Sequence, residues 1–288
     1  CGLHQGRMEE EILNDRPFEY DVSDIDFMLL THAHIDHSGR IPKLYKDGYR
    51  NPIYATKATC DLCNIMLPDS GHIQETETEN KNKKRKRAGK RDLLEPLYTA
   101  QDAVDCLEVF KPVKYDEIIE ITPDISVRFN DAGHMLGSSM IEVWVTENEK
   151  QEKIVFSGDI GNINKPIVKE PNYLTDADYV VMESTYGDRS HGGTPDYVNE
   201  LVKVFKRTFD RGGNVVIPSF AVGRTQELLY FIRKIKEDRL IDRDFDVYMD
   251  SPLAIEATNI FIKNIAQCFD KDAMELVNRG VNPLTFPG

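Results

Sequence analysis

Apolar residues in the first part of the chain fall in short runs of strand length. DFMLLTH (26–32) is a nearly continuous apolar run that ends on a histidine. SGRIPKLYKDGY (38–49) reads as a short helix closing at Gly48, and PIYAT (52–56) as the next strand. TAQDAVDCLEVF (99–110) opens on a capping pattern, Thr99 followed three residues later by Asp102. ISVRFNDAGH (125–134) and SMIEVWV (139–145) alternate at period two. Ile125, Val127 and Phe129 share one face, and Ile141, Val143 and Val145 lie opposite Met140. KIVFSGD (153–159) and ADYVVMES (177–184) predict two further strands.

The second part has a longer rhythm. TPDYVNELVKVFKRTFDRGG (194–213) predicts a helix with Thr194 as N-cap, Pro195 at the first helical position and Gly212 at its end. A strand (NVVIPSF, 214–220), a helix (TQELLYFIRKIKEDRL, 225–240), a strand (DVYMD, 246–250) and a helix (PLAIEATNIFIKNI, 252–265) follow. This order predicts parallel βαβ units. The change of rhythm at GDRSHGGT (187–194) predicts two domains, 1–188 and 189–288.

The 288 residues, 40% hydrophobic and 30% charged, suffice for a substantial core. No apolar run approaches the ~20 residues of a membrane helix. Five cysteines without a framework spacing point to a reducing, cytoplasmic setting. The lone pair Cys60 and Cys63 reads as two thiols on consecutive helical turns, since no second pair completes a tetrahedral zinc site. The sequence opens on Cys1 and closes on VNPLTFPG, so we expect an internal fragment. A net charge of −13 is unlike a nucleic-acid binder. Yet KNKKRKRAGKR (81–91) carries eight of the 36 basic residues, and removing those eight charges from −13 leaves −21. That run is a solvated helix face, a mobile loop, or a phosphate-contacting patch.

The densest chemistry is THAHIDHSGR (31–40), with His32, His34, Asp36 and His37 directly behind an apolar strand. Alternate residues of an extended segment point the same way about 7 Å apart, so His32 and His34 can grip one ion. Asp36 and His37 follow where strand gives way to helix and can turn toward a second ion. His134, in NDAGHMLGSS, and Asp159, in VFSGDIG, repeat one arrangement: a strand, a ligand, then glycine. Imidazole and carboxylate without thiolate suit zinc, with manganese or iron as substitutes. Two such ions ~3.5–4 Å apart would generate a hydroxide at neutral pH and clamp a phosphodiester.

HAHIDHSG, AGHMLGSS, FSGDIG and MESTYGDR together resemble the metallo-β-lactamase fold, an α/β αββα sandwich. MESTYGDR and PSFAVGRTQELL resemble its β-CASP branch of RNA-processing nucleases, in which the second domain is an insertion. The resemblance implies that His32, His34 and His134 hold one zinc, that Asp36 and His37 hold a second, and that Asp159 bridges both. It gives Asp36 a further role in orienting the attacking hydroxide. Glu183 in MEST would support a histidine that protonates the leaving oxygen, with strand-end capping or salt bridging as the plainer role. Ser219 and Arg224 in SFAVGR would bind phosphate at a helix N-terminus; capping and salt bridging are the alternative.

The implied activity is a zinc-dependent ribonuclease acting on single-stranded RNA, with homodimerisation left open. Rival readings are a DNA nuclease of the same branch, a small-molecule metallo-hydrolase, and a non-catalytic RNA-binding subunit. MEST and PSFAVGR speak against the small-molecule enzyme, and the retained ligands against the non-catalytic subunit. Two departures stand out. The family's aspartate before CGLHQG is absent, and no histidine follows His191, so the family's two later histidines are expected beyond Gly288. Residues 1–288 are therefore expected to be inactive alone.

Overall fold

The structure is a computed structural model that describes residues 1–6, 12–190, 192–193 and 195–286. The described elements run β1 (Met28–Leu29), α1 (Ile35–Ser38), α2 (Ile41–Lys46), β2 (Ile53–Thr56), α3 (Lys57–Arg87), α4 (Ala100–Asp105), β3 (Phe110–Val113), β4 (Ile118–Thr122), β5 (Ile125–Asp131), β6 (Ser139–Glu147), β7 (Lys150–Phe156) and β8 (Tyr179–Val181). Helices α5 (Tyr197–Phe209), α6 (Arg224–Glu237), α7 (Pro252–Lys263), α8 (Ile265–Cys268) and α9 (Lys271–Asn278) complete the chain. The fold is the mixed α/β sandwich that the motifs imply. Two compact units emerge: residues 1–132, 137–159 and 173–181 form the first, and residues 133–136, 160–172 and 182–288 the second.

In the first unit, β1, β2 and β3 make a parallel sheet, and β4 to β8 a second sheet in sequence order. The latter is antiparallel up to β7, and β8 joins β7 in parallel. The period-two pattern of β5 and β6 explains the packing. Val127, Phe129, Ile141 and Val143 form one buried cluster, against which Leu29, Tyr54 and Val113 of the first sheet pack. Burial of four such side chains contributes about 1.5–3 kcal/mol each to the contact between the sheets.

The opposite face of β5, β6 and β7 carries a buried polar network among apolar residues such as Met140 and Val155. Glu142 is fully buried and takes hydrogen bonds from Arg128 Nε (2.5 Å) and Asn130 Nδ2 (2.8 Å), with Lys153 Nζ 2.6 Å away. Burial alone would push this carboxyl up. The bonds from Arg128, Lys153 and Asn130 outweigh it and hold the group down at about 2.

Several elements differ from the sequence pattern. Helix α3 runs through Pro68 for 31 residues; of the readings offered for the basic run, the helix face is formed by its residues up to Arg87, and residues 88–91 lie beyond the helix end. Thr194 lies outside the described residues, and Pro195 precedes helix α5 instead of opening it. Asp196 is the N-cap, accepting from the Asn199 amide at 3.0 Å, because a short carboxylate serves that position well. NVVIPSF and DVYMD form no hydrogen-bonded strand among the described residues, so the expected parallel βαβ ladder is not built there. A strand exists only through a neighbour, and here Val216, Phe220 and Tyr248 are 85–87% exposed. The second unit is instead organised around Phe205, Ile232, Ile235 and Ile241. No described helix is long and apolar enough to cross a membrane.

The cysteines follow the plainer reading. All five are free thiols, and Cys60 and Cys63 lie on consecutive turns of α3. Burial pushes the Cys60 thiol up to about 12 and the Cys63 thiol up as well, so neither is a reactive thiolate.

Replacing Glu142 by Gln should lower stability by about 3 kcal/mol, because Arg128 and Lys153 lose their counter-charge. The depressed carboxyl also predicts a pH dependence. Its contribution is complete above the unfolded carboxylate range and is lost as pH falls from about 5 toward 2. Urea midpoints at pH 7 and pH 3 test both, and an unchanged midpoint at pH 7 would show that the network contributes nothing.

Candidate metal centre

The first loop tip grows out of β1. Leu30 N donates to Tyr54 O at 2.9 Å, which extends the ladder one residue beyond the paired strand. The chain then turns: His34 is the N-cap of α1, and Ser38 Oγ donates to the carbonyls of Ala33 (2.9 Å) and His34 (3.0 Å). His32 is thereby fully buried while His34, Asp36 and His37 remain accessible in part. The His32 and His34 rings meet edge to face, 4.9 Å between centroids, and the His32 and His37 rings lie 4.0 Å apart.

Two further loop tips close on this one. His134 follows β5 and Asp159 follows β7. One ligand atom each from His32, His34, His134 and Asp159 all lie within 4.8 Å of one another. Asp159 faces two ways. Its Oδ2 is 3.7 Å from His32 Nε2, and its Oδ1 is 3.2 Å from His37 Nε2. His37 Nε2 also lies 3.6 Å from Asp36 Oδ2. The hydrogen bond to Asp159 raises the His37 pKa, with burial opposing it. All six predicted ligands are thus brought together, four in one tight group and Asp36 and His37 beside it through Asp159.

Backbone contact sets this spacing. A Cβ on Gly161 would lie 1.8 Å from Gly133 O, so the loop behind Asp159 touches the loop carrying His134 through bare main chain. A Cβ on Gly2 would lie 1.4 Å from Asp36 O, and Leu3 N donates to Ile35 O at 2.9 Å. CGLHQG therefore packs directly on the α1 turn. Gly158 takes φ +54° against the Thr31 side chain, where other residues would be strained. Ser139 N and Oγ both donate to Thr31 O, at 2.8 and 2.9 Å, pinning the histidine turn to the start of β6.

Lys165 and Glu227 carry no sequence signal, yet both bear on the site. Lys165 Nζ donates to His134 O at 2.8 Å and lies 3.2 Å from Glu227 Oε1. Glu227, nearly buried in the first turn of α6, also pairs with Arg224 at 2.7 Å. A carboxylate on one side and a ligand's carbonyl on the other fix the ammonium. Glu183 Oε1 accepts from Ile160 N at 2.8 Å, next to Asp159 in the chain. The contacts of the remaining predicted residues lie within their own segment, and Gly223 rather than Ser219 is the N-cap of α6. Ser219 Oγ lies 2.8 Å from Thr225 Oγ1, and Arg224 pairs with Glu227.

Three imidazoles and a carboxylate, His32 buried and the other three half-buried, are a donor set that suits a borderline cation such as zinc. A second cation would find Asp36, His37 and the outer oxygen of Asp159. No thiolate is in this group.

The family model for a metallo-beta-lactamase superfamily domain matches residues 1–181, and that for a Beta-Casp domain matches residues 225–288. The chain is 34% identical over 288 residues to Ribonuclease TTHA0252 of Thermus thermophilus, covering 100% of this chain and 60% of that protein. It is 30% identical over 290 residues to transcription termination factor FttA of Methanocaldococcus jannaschii, covering 98% and 42%. The same factor of Methanosarcina mazei is 31% identical over 293 residues, with the same coverage of 98% and 42%. The chain thus spans from 42% to 60% of the length of these relatives.

Removal of the Lys165 ammonium should loosen the His134 loop. Lys165→Ala is expected to weaken divalent-metal binding about tenfold, the usual size of an outer-contact effect. Lys165→Arg, which keeps a donor, should recover most of that loss. Competition against a chromophoric chelator measures both, and equal affinities for all three proteins would remove Lys165 from the site.

Proposed function

The chain belongs to the metallo-beta-lactamase superfamily and carries a Beta-Casp match, and on that premise we propose that it is part of a zinc-dependent ribonuclease. The carrying observation is the convergence of His32, His34, His134 and Asp159 from three separate loop tips. The names of two relatives, a ribonuclease and a transcription termination factor, support RNA as the substrate over a small molecule.

Zinc ions held here would supply Lewis acidity toward a phosphodiester and toward water. The protein's own groups do the rest. His32, His34 and His134 would present imidazole nitrogens for one ion, and Asp36 and His37 the ligands for a second. Asp159 directs one carboxylate oxygen toward each group. The Asp36 side chain is half exposed, so it can accept a hydrogen bond from an attacking water and orient it. Glu183 steadies the turn at Asp159 through the Ile160 amide, and a carboxylate there can also support the leaving-group histidine that the family supplies. Arg224 and Ser219, at the start of α6, would meet phosphate only by giving up their contacts with Glu227 and Thr225. Five free thiols fit a cytoplasmic setting.

The full-length protein should hold about two zinc ions per chain, and elemental analysis finding none would defeat the dinuclear reading. End-labelled single-stranded RNA and DNA, incubated with that protein with and without chelator, should show cleavage of RNA that the chelator stops. His34→Ala should abolish this cleavage while leaving the unfolding midpoint of the metal-free protein unchanged. Cleavage that survives both chelator and His34→Ala would exclude the metal from the chemistry. Cleavage of DNA alone would favour the rival nuclease.

A further inference from the structure

The second half of helix α3 buries none of its residues. Its buried residues end at Gly71, where a Cβ would lie 2.7 Å from Ala100, and none of the residues from His72 to Arg87 is buried. Four turns of helix therefore project without an apolar face. A helix that is polar all round persists through side-chain pairs or through a partner. The pairs are visible: Lys81 with Glu77 (3.7 Å) and Lys83 with Glu79 (2.9 Å). Asn82 clamps both the amide and the carbonyl of Leu94 at 2.8 Å, and Arg85 pairs with Asp92, so the returning segment lies along the helix end. That return brings Lys90 and Arg91 back beside Lys84, Lys86 and Arg87. These five cations have no carboxylate partner among the described residues, and all five are exposed.

The other end of α3 is fixed at the candidate centre. Thr56 Oγ1 and Thr59 Oγ1 donate to Gly137 O at 2.6 and 2.8 Å, three residues after His134. With a rise of about 1.5 Å per residue, roughly 40 Å of helix separate that anchor from Arg87. A cation cluster that far away cannot act on the reacting phosphate.

We infer that the end of α3 with its return segment, residues 84–91, is a second RNA-contact site that grips the phosphate backbone remote from the point of cleavage. The inference rests on the ribonuclease reading for its ligand. Charge complementarity selects the partner: five unneutralised cations on a chain of net charge −13 suit a flexible polyanion that the rest of the surface repels. It also sets a length. A stacked strand advances about 3.4 Å per nucleotide, so one RNA molecule needs about a dozen nucleotides to reach both places.

The test uses full-length protein with the triple substitution Lys84→Gln, Lys86→Gln, Arg87→Gln, none of which removes a described contact. Binding is measured across a salt series for single-stranded RNA of about 5 and about 30 nucleotides. For the long RNA, the substitution should reduce affinity about tenfold or more at low salt. It should also make the salt slope shallower by about 2, at roughly 0.7 per lost phosphate contact. For the short RNA, affinity should be unchanged. An unchanged affinity and slope for the long RNA, or an equal loss at both lengths, overturns the second site. Chelator-sensitive cleavage in the same samples reports separately on the ribonuclease reading. Intact cleavage without a length-dependent loss sinks only the second site, and a length-dependent loss without any cleavage by the unsubstituted protein sinks only the nuclease.

Discussion

Holding three imidazoles and a carboxylate with their ligand atoms within 4.8 Å requires the loops that bear them to be fixed before any cation arrives. Crowded polar groups lose hydration and rotamer freedom, and nothing in such a cluster repays that unless the main chain already dictates the positions. Here the fixing is done by backbone. Strand ladders deliver each tip, the Gly133–Gly161 contact sets the distance from the His134 loop to the Asp159 loop, and Ser139 ties the histidine turn to β6. The sheet-on-sheet core beneath, centred on Val127, Phe129, Ile141 and Val143, keeps those ladders in register.

The polar network on the other side of the same sheet solves a different problem. Strands β5, β6 and β7 each have to end at a defined point, since a one-residue slip would turn every inward side chain outward. Glu142 joins Arg128 and Asn130 of β5 to Lys153 of β7 through one buried carboxylate. Directional charged bonds of this kind specify alignment better than apolar contacts do, because an offset partner leaves a buried charge exposed to its full penalty. The loops at the ends of β5 and β7 then start from fixed places.

Much of this was legible in the residues. HAHIDH names its own chemistry because four ligands stand within six positions behind an apolar strand, and the period-two pattern of 125–145 identified the faces that pack. His134 and Asp159 were reachable through the repeated order of strand, ligand and glycine. Lys165 and Glu227 were not, since a lone lysine and a helix-start glutamate look like any surface pair until their 3.2 Å contact is seen. Helix α3 is legible only in pieces, the turns of Cys60 and Cys63 and a helix face among the readings of 81–91; its continuity through Pro68 is not, because beyond Gly71 it buries nothing and no apolar stripe records it. The strands expected near 214–220 and 246–250 show the converse failure, for their apolar runs announce a pairing that needs a neighbour to exist.

The close approach of bare main chain at Gly2, Gly133 and Gly161 has a consequence for how this protein tolerates change. A methyl group at any of the three collides with peptide atoms rather than with a side chain that could swing aside. In a saturation library these positions should therefore be as intolerant as the histidines they flank, although they carry no chemistry. Lesions there would resemble loss of a ligand in every functional screen while leaving each ligand in the sequence.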